Sequence, residues 1–371
     1  MTVDLLRGLA EGIGPRMSGS PEAFASATLI ANAFKELELE PHFQEFEFLA
    51  YDPDEPSLEV DGKVVAAGPC TYSHPTPEGG ISGKLRYLGR HVVLAELFEP
   101  DAFSIEDDGG ELGRLYGNPL GGEAGPFTSG YGQLLTGPAA YISTADSERL
   151  KDLIGSTVSL RTRGRFLPGR RDRNVLAWLP GDRPGTVIIS AHFDSVWRGP
   201  GAVDNASGVE GMLRVARALV AGGPDRHSFL FVAFAAEEGG LFGSRFFAIE
   251  ARLRRDPDPI LGVVNLDSIA RGDRFVVRAG PVAFRERVLA IAATLGLEQR
   301  YELVGAEPAP ASDDYSFATY GIPTVSLLHW PYPEYHLPSD RIELVDASRL
   351  ADSVKLATAL ALHLAAPGLR L

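Results

Sequence analysis

In the carboxyl-terminal half of this 371-residue chain, histidine, aspartate and glutamate recur at the ends of short apolar runs. His192 and Asp194 follow "GTVIISA", Glu237 and Glu238 follow "FVAFAA", Asp267 follows "GVVNL", and His329 closes "PTVSLL". Two more candidates sit in loop-like stretches, Asp204 in "GAVDNASGV" and His336 in "YHLPSD". Each has an ordinary explanation when taken alone. A strand-end carboxylate is usually a solvated turn residue, Asp204 could be a helix cap, and a histidine in a strand is usually a core group. Several separate ends converging on nitrogen and oxygen donors point instead to a metal site. His329 and the remote His42, His74, His91, His227 and His363 are read as core groups.

The spacings are consistent with metal binding. His192 and Asp194 are two apart on a strand, so their side chains leave on the same face. Asp194 can then accept the second N–H of the imidazole and fix the tautomer of a metal-bound His192. Glu237 and Glu238 are adjacent and would diverge on a regular strand. One of them is expected to be a ligand, with the other reaching the same centre from another side.

The elements that must carry these residues follow from periodicity. "NVLAWLP", "GTVIISAHFDSV", "HSFLFVAFAAEE", "PILGVVNLDSIA", "RFVVRAG" and "PTVSLLHW" are strand-like runs, apolar on both faces. Helical stretches alternate with some of them: Asn205 to about 221, about 282–297, and 347–366 capped by Asp346. This pattern predicts an α/β sheet covered by helices, whose ligand sites lie at the carboxyl ends of the strands. Near the amino terminus, Ser20 followed by Pro21 predicts a helix start, with a helix running to about Leu37. Residues 54–165 are rich in Gly and Pro between short runs such as "KLRYLG" and "HVVLAEL", and read as a smaller, mostly β insert. The main domain is then 1–53 and 166–371. The arginine-rich "RTRGRFLPGRRDR" at the exit of the insert is read as a solvated linker.

The net charge of −14 argues against nucleic acid as a partner. It mildly favours cationic ligands such as free amines. A single cysteine, Cys70, excludes an intrachain disulfide framework and an all-cysteine metal site. No stretch approaches the length of a membrane span, and no apolar leader is recognised at the start, so a soluble cytoplasmic protein is expected. Oligomeric state is left open.

"AHFDSV", "GAVDNASGV", "FAAEEGGLFGS", "NLDSI", "SDDYSF" and "YHLPSDRIELVD" occur in an order and context that strongly resemble metallopeptidase family twenty-eight, the co-catalytic di-zinc aminopeptidases. The resemblance covers residues 10–50 and 174–365, including "RMSGSPEAFASATLIANAFKEL". It implies a mixed, mostly parallel central sheet, two zinc ions per chain, and peptide substrates with a free N-terminus. It assigns His192 and Asp267 to one zinc and Glu238 and His336 to the other, with Asp204 bridging. Glu237 becomes the general base acting on a metal-bridging hydroxide, Asp194 stands behind His192, and Asp204–Asn205 is expected to be cis. The insert, with "GPAAYISTADSERLKDLIGSTVSLRTRG", resembles the end of a protease-associated domain.

There are departures from the family pattern. "NLDM" is "NLDS" here, and "SDH" is "SDD", so Asp314 stands where a histidine is usual. An oxyanion-stabilising tyrosine found upstream of "SD" in some members is replaced around Ala309, but Tyr335 beside His336 matches the position used by others. The alternatives are a glutaminyl-cyclase-like acyltransferase using one zinc and a non-catalytic receptor-like relative. The complete donor set counts against both.

Overall fold

The computed structural model describes residues 5–91, 99–128, 137–222, 227–254 and 258–366. Nearly all of the expected strand "HVVLAEL" lies outside them. The chain forms two compact units, Met1–Glu47 with Arg171–Tyr332 and Pro338–Leu371, and Phe48–Arg170 with Pro333–Leu337.

The first unit is built on an eight-stranded sheet. Its strands are Pro41–Asp52 (β1), Arg165–Leu179 (β2), Arg183–His192 (β3), His227–Phe234 (β4), Ile260–Leu266 (β5), Arg274–Gly280 (β6), Glu302–Ala306 (β7) and Thr324–Trp330 (β8). The spatial order is β1-β2-β4-β3-β5-β8-β6-β7. Strand β3 runs parallel to both β4 and β5, β5 to β8, and β6 to β7. The β2–β4 and β6–β8 pairs are antiparallel. The sheet is therefore mixed and mostly parallel, as the resemblance implies. Its centre is apolar on both faces: Val187, Ile188, Ile189, Phe229, Phe231, Val263 and Val264 are fully buried. Each such side chain stabilises the fold by about 1.5–3 kcal/mol.

Helices cover this sheet. Pro21–Lys35 (α1) begins at Ser20, whose side chain accepts the Ala23 N–H. Gly208–Val220 (α2) buries Val209, Met212, Leu213, Ala216 and Leu219 as one stripe. Phe242–Arg254 (α3), Val282–Thr294 (α4) and Ala347–Leu364 (α5) follow, the last capped by Asp346, which accepts from Ser348 N and Arg349 N. A Cβ on Gly211 of α2 would come within 2.6 Å of Ile269 Cδ1 and 3.6 Å of Val354 on α5, so α2 packs closely only with glycine there.

Three sequence expectations change. The arginine-rich run is not a linker. From Arg165 onward it is strand β2, whose exposed arginines reflect a sheet edge facing water. Strands β1 and β7 and helix α3 were not expected. In β1 the buried Phe46, Phe48 and Ala50 alternate with exposed Glu45 and Glu47 and half-buried Leu49, a pattern weaker than that of the central strands. Of the histidines read as core, only His329 is buried. His42 and His74 are exposed and His91, His227 and His363 half-buried, because they lie on edges, loops and helix ends where the ring tip reaches water.

The second unit is a nine-stranded sheet. The hairpin-linked strands Ile81–Arg90, Asp101–Asp107 and Gly110–Gly117 lie at its middle, and one helix, Thr144–Lys151, is capped by Ser143. Its core includes Leu58, Leu85, Phe103, Ile105, Leu115, Ile142, Leu150 and Leu160.

Candidate metal centre

Strand β3 ends at His192, paired with Phe234 at the end of β4, and β5 ends one residue before Asp267. Three neighbouring strands thus deliver polar residues to one rim, as expected for the carboxyl ends of parallel strands. Around His192 two groups of donor atoms form, each with all atoms within 4.8 Å of one another: His192, Asp204 and Glu238, and His192, Glu237 and Asp267. His192 Nε2 lies 3.2 Å from Asp204 Oδ1 and 3.5 Å from Asp267 Oδ1. His192 Nδ1 lies 3.5 Å from Asp194 Oδ1. Asp194 thus lies beside the imidazole without a hydrogen bond to Nδ1, and it stands just past the strand end.

Glu237 and Glu238 are not on a regular strand. Strand β4 ends at Phe234, and Ala236 takes a left-handed φ of 58° that starts a turn. The backbone N–H groups of Glu237 and Glu238 donate to Asp194 Oδ1 and Oδ2, each at 3.2 Å. Ser18 Oγ donates to Asp194 Oδ2 at 2.7 Å. One buried carboxylate therefore holds the glutamate turn and lies beside the imidazole. The two glutamates fall into different donor groups because of this turn, not because of strand pleating.

Asp204 sits in the turn Ala202–Ser207 that precedes α2, and the Asp204–Asn205 peptide is cis. Asn205 Oδ1 accepts from Gly208 N and Ser268 N, and its amide donates to Leu266 O, tying this turn to the end of β5. Asp267 is held through a buried chain. Ser190 Oγ donates to Asn265 Oδ1 at 2.8 Å, Asn265 Nδ2 to Ser312 Oγ at 2.7 Å, and Ser312 Oγ to Asp267 Oδ2 at 2.6 Å. Two residues that the sequence reading passed over, Arg16 and Asp340, also border the site. Both lie in motifs already quoted, "RMSGS" and "LPSD", but no periodicity or spacing marks them.

The electrostatics favour a bound cation. Burial would lower the pKa of His192, but Glu237, Asp267, Asp194 and Asp204 outweigh it and hold it well above the ordinary value. Burial, reinforced by Glu238, Asp267 and Asp313, pushes Glu237 well above the usual carboxylate range, with His192 opposing. Burial also raises Asp313 to about 7 and Asp314 to about 8. Anions crowded into a dry site are stabilised by a divalent ion, and one imidazole with several carboxylates is a donor set that zinc accepts. The residues present fit a zinc site.

His336 and Tyr335 are in neither donor group. They lie on Pro333–Leu337, in the second unit, where Phe127 stacks on His336 with ring centroids 5.4 Å apart. Tyr335 stacks on His336 at 3.8 Å. Asp314 accepts from Thr324 Oγ1 at 3.2 Å, and Ala309 is buried.

The sequence profile of peptidase family M28 matches residues 174–361. Aminopeptidase YwaD of Bacillus subtilis (strain 168) is 27% identical over 394 residues, covering 95% of this chain and 81% of that protein. The chain spans about half the length of further curated relatives that it matches, leucine aminopeptidase 2 of Arthroderma otae among them. The structure of BSAP, a zinc aminopeptidase from Bacillus subtilis, aligns with a TM-score of 0.70 at 23% identity, over 99% of this chain and 95% of that one. A glutaminyl cyclase from Fimbriiglobus ruber aligns with a TM-score of 0.56 at 16% identity, over 96% and 92%. At these identities the two structures bear on the fold alone.

Proposed function

The chain belongs to peptidase family M28, and from that premise we propose that it is a zinc-dependent aminopeptidase, removing N-terminal residues from peptides. The observation that carries this reading is the pair of donor groups sharing His192, one with Asp204 and Glu238 and the other with Asp267 and the buried Glu237. The similarity to aminopeptidase YwaD over most of both chains supports the same activity.

The proposed centre would take two zinc ions, one held by His192 and Asp267 and the other by Glu238, with Asp204 serving both; the family resemblance would add His336 to the second set. When bound there, zinc would supply Lewis-acid polarisation of the scissile carbonyl and a lowered pKa, toward about 7, for its bound water. Glu237 accepts the proton of the attacking water and passes it to the leaving amine. Its burial suits this role, since burial raises its pKa and a carboxylate with a raised pKa is a stronger base toward the water's proton than an exposed one. Asp194, beside Nδ1, orients His192 and leaves Nε2 for the metal. Tyr335 steadies the developing oxyanion. The acidic rim favours a substrate's free ammonium group.

The insert, read as protease-associated-like, would tune peptide length. Among the described residues no helix is long and apolar enough to cross a membrane. A cytoplasmic location remains part of the proposal, supported by the single cysteine.

The test compares a short peptide with its N-acetylated form while metal content is measured. Cleavage of the free peptide alone, with close to two zinc ions per chain, is the expected result. Equal cleavage of both peptides removes the exopeptidase assignment. Saturation at one zinc with full activity, and cyclisation of an N-terminal glutamine, favours the acyltransferase instead.

A further inference from the structure

Asp204 would be shared by both metal ions, so the placing of its carboxylate bears on both. The loop that carries it is gripped from both sides. Gly201, just before it, has φ of 53°, and a Cβ there would come within 2.1 Å of the Asp204 carbonyl oxygen. The loop is thus tightly folded before any side chain acts on it.

On one side is Arg16, fully buried in the segment leading into α1. Its guanidinium donates to four carbonyls: Nε to Phe193 O, Nη1 to Pro200 O and Gly14 O, and Nη2 to Gly201 O at 2.9 Å. Its backbone N–H donates to Ser195 Oγ at 3.1 Å, and that hydroxyl donates to Gly199 O at 2.8 Å. Arg16 therefore joins the segment following His192 to the segment preceding Asp204. On the other side is Asp340, also buried. Its carboxylate accepts from Val203 N at 2.8 Å and Asp204 N at 3.0 Å, and its carbonyl accepts from Ala202 N at 3.2 Å.

We infer that Arg16 and Asp340 are positioning residues that fix the bridging carboxylate of Asp204 for metal binding. The inference rests on the zinc aminopeptidase reading. The ordinary alternative is that both residues only hold the fold together. A purely structural staple needs no charge, however, and burying a guanidinium costs several kcal/mol unless its charge is compensated. Arg16 makes its hydrogen bonds to neutral carbonyls, while its charge lies among Asp194, Asp340, Asp204 and Glu238. Burial lowers its pKa to about 10, against the raising effect of those acids, so it is still a cation at neutral pH. It supplies both geometry and a fixed positive charge beside a cluster of acids. Removing groups that orient metal ligands typically costs about 10–100-fold in metal affinity.

Arg16→Lys keeps the charge but cannot reach the carbonyls of both segments, and Asp340→Asn keeps the shape but turns a side-chain amide NH2 toward one of the two backbone N–H groups. Zinc affinity would be measured by competition with a chromogenic chelator, and site geometry by the visible absorption of the cobalt(II)-substituted protein. Arg171→Gln, an exposed change on β2, is the control. Both site variants are expected to bind at least one zinc equivalent about 10–100-fold more weakly, with an altered cobalt spectrum, while the control matches the wild type. Wild-type zinc titrations and spectra in both variants would overturn the inference, even if their metal-free melting temperatures fall. Should Arg16→Lys fail to fold, the near-isosteric Asp340→Asn decides alone. A wild-type protein that takes up no zinc fails the aminopeptidase reading itself, a separate and recognisable outcome.

Discussion

Two buried histidines on the same sheet have opposite surroundings. His192, at the end of β3, is surrounded by Asp194, Asp204, Glu237 and Asp267, and their charges hold it well above its ordinary pKa. His329, near the end of β8, is stacked on Phe275 with centroids 4.4 Å apart and meets the edge of Tyr301 at 4.9 Å. Burial, aided by Arg349, pushes His329 down to about 3. Among the described residues, neither ring nitrogen of His329 has a hydrogen-bond partner. A histidine closing an apolar strand is thus not a site in itself. It becomes one where separate segments bring acids to it.

The sharpest way to break this contrast is at Glu237. Glu237→Gln keeps the shape and should retain zinc, yet kcat should fall by about 10²–10⁴-fold because an amide cannot accept the water's proton. Loss of zinc in this variant, with kcat recovered in excess zinc, would give Glu237 a ligand's role instead. Asp194→Asn comes next. It replaces the carboxylate that lies beside His192 and accepts from the Glu237–Glu238 turn, and zinc affinity should drop by about 10–100-fold, read by chelator competition.

A smaller effect is expected at the start of the chain that steadies Asp267. Ser190→Ala leaves buried Asn265 Oδ1 without its donor and should cost about 1–3 kcal/mol of stability by denaturant titration, with zinc retained. The smallest effect at neutral pH belongs to His329→Phe. An apolar ring of similar shape suits the pocket, so stability should change by less than about 1 kcal/mol, and zinc content not at all.

The same variant has a pH signature. The folded pKa of His329 lies below its ordinary value of 6.5, so the unfolded chain binds the extra proton. Its contribution is therefore fully present above about pH 6.5 and is lost as pH falls toward about 3. His329→Phe should lose less stability than the wild type between about pH 7 and pH 5, by urea midpoints. Equal losses would mean that His329 is not held neutral by its surroundings.

Much of the molecule could be read locally. The central strands, the caps at Ser20 and Asp346, and the stripe of α2 follow from side-chain chemistry within a few residues, and the structure has them. His192, Glu237, Glu238 and Asp267, which gather in the two donor groups, follow apolar runs, where a buried sheet must meet polar surroundings. The Arg16 staple, the Asp340 clamp and the turn that separates Glu237 from Glu238 could not be read this way. Helix α3 was also missed, because its apolar residues do not form a clear stripe in the sequence. Periodicity fixes which face of an element is apolar, through backbone geometry that a short window contains. It does not say which distant segments meet: Arg16 touches residues nearly half the chain away, and Asp194 reaches across to a turn on the next strand. The sequence determined the chemical types available at the rim and the elements that end there. Their partners, charges and burial were decided only when long-range packing brought those segments together in a dry, acid-rich space.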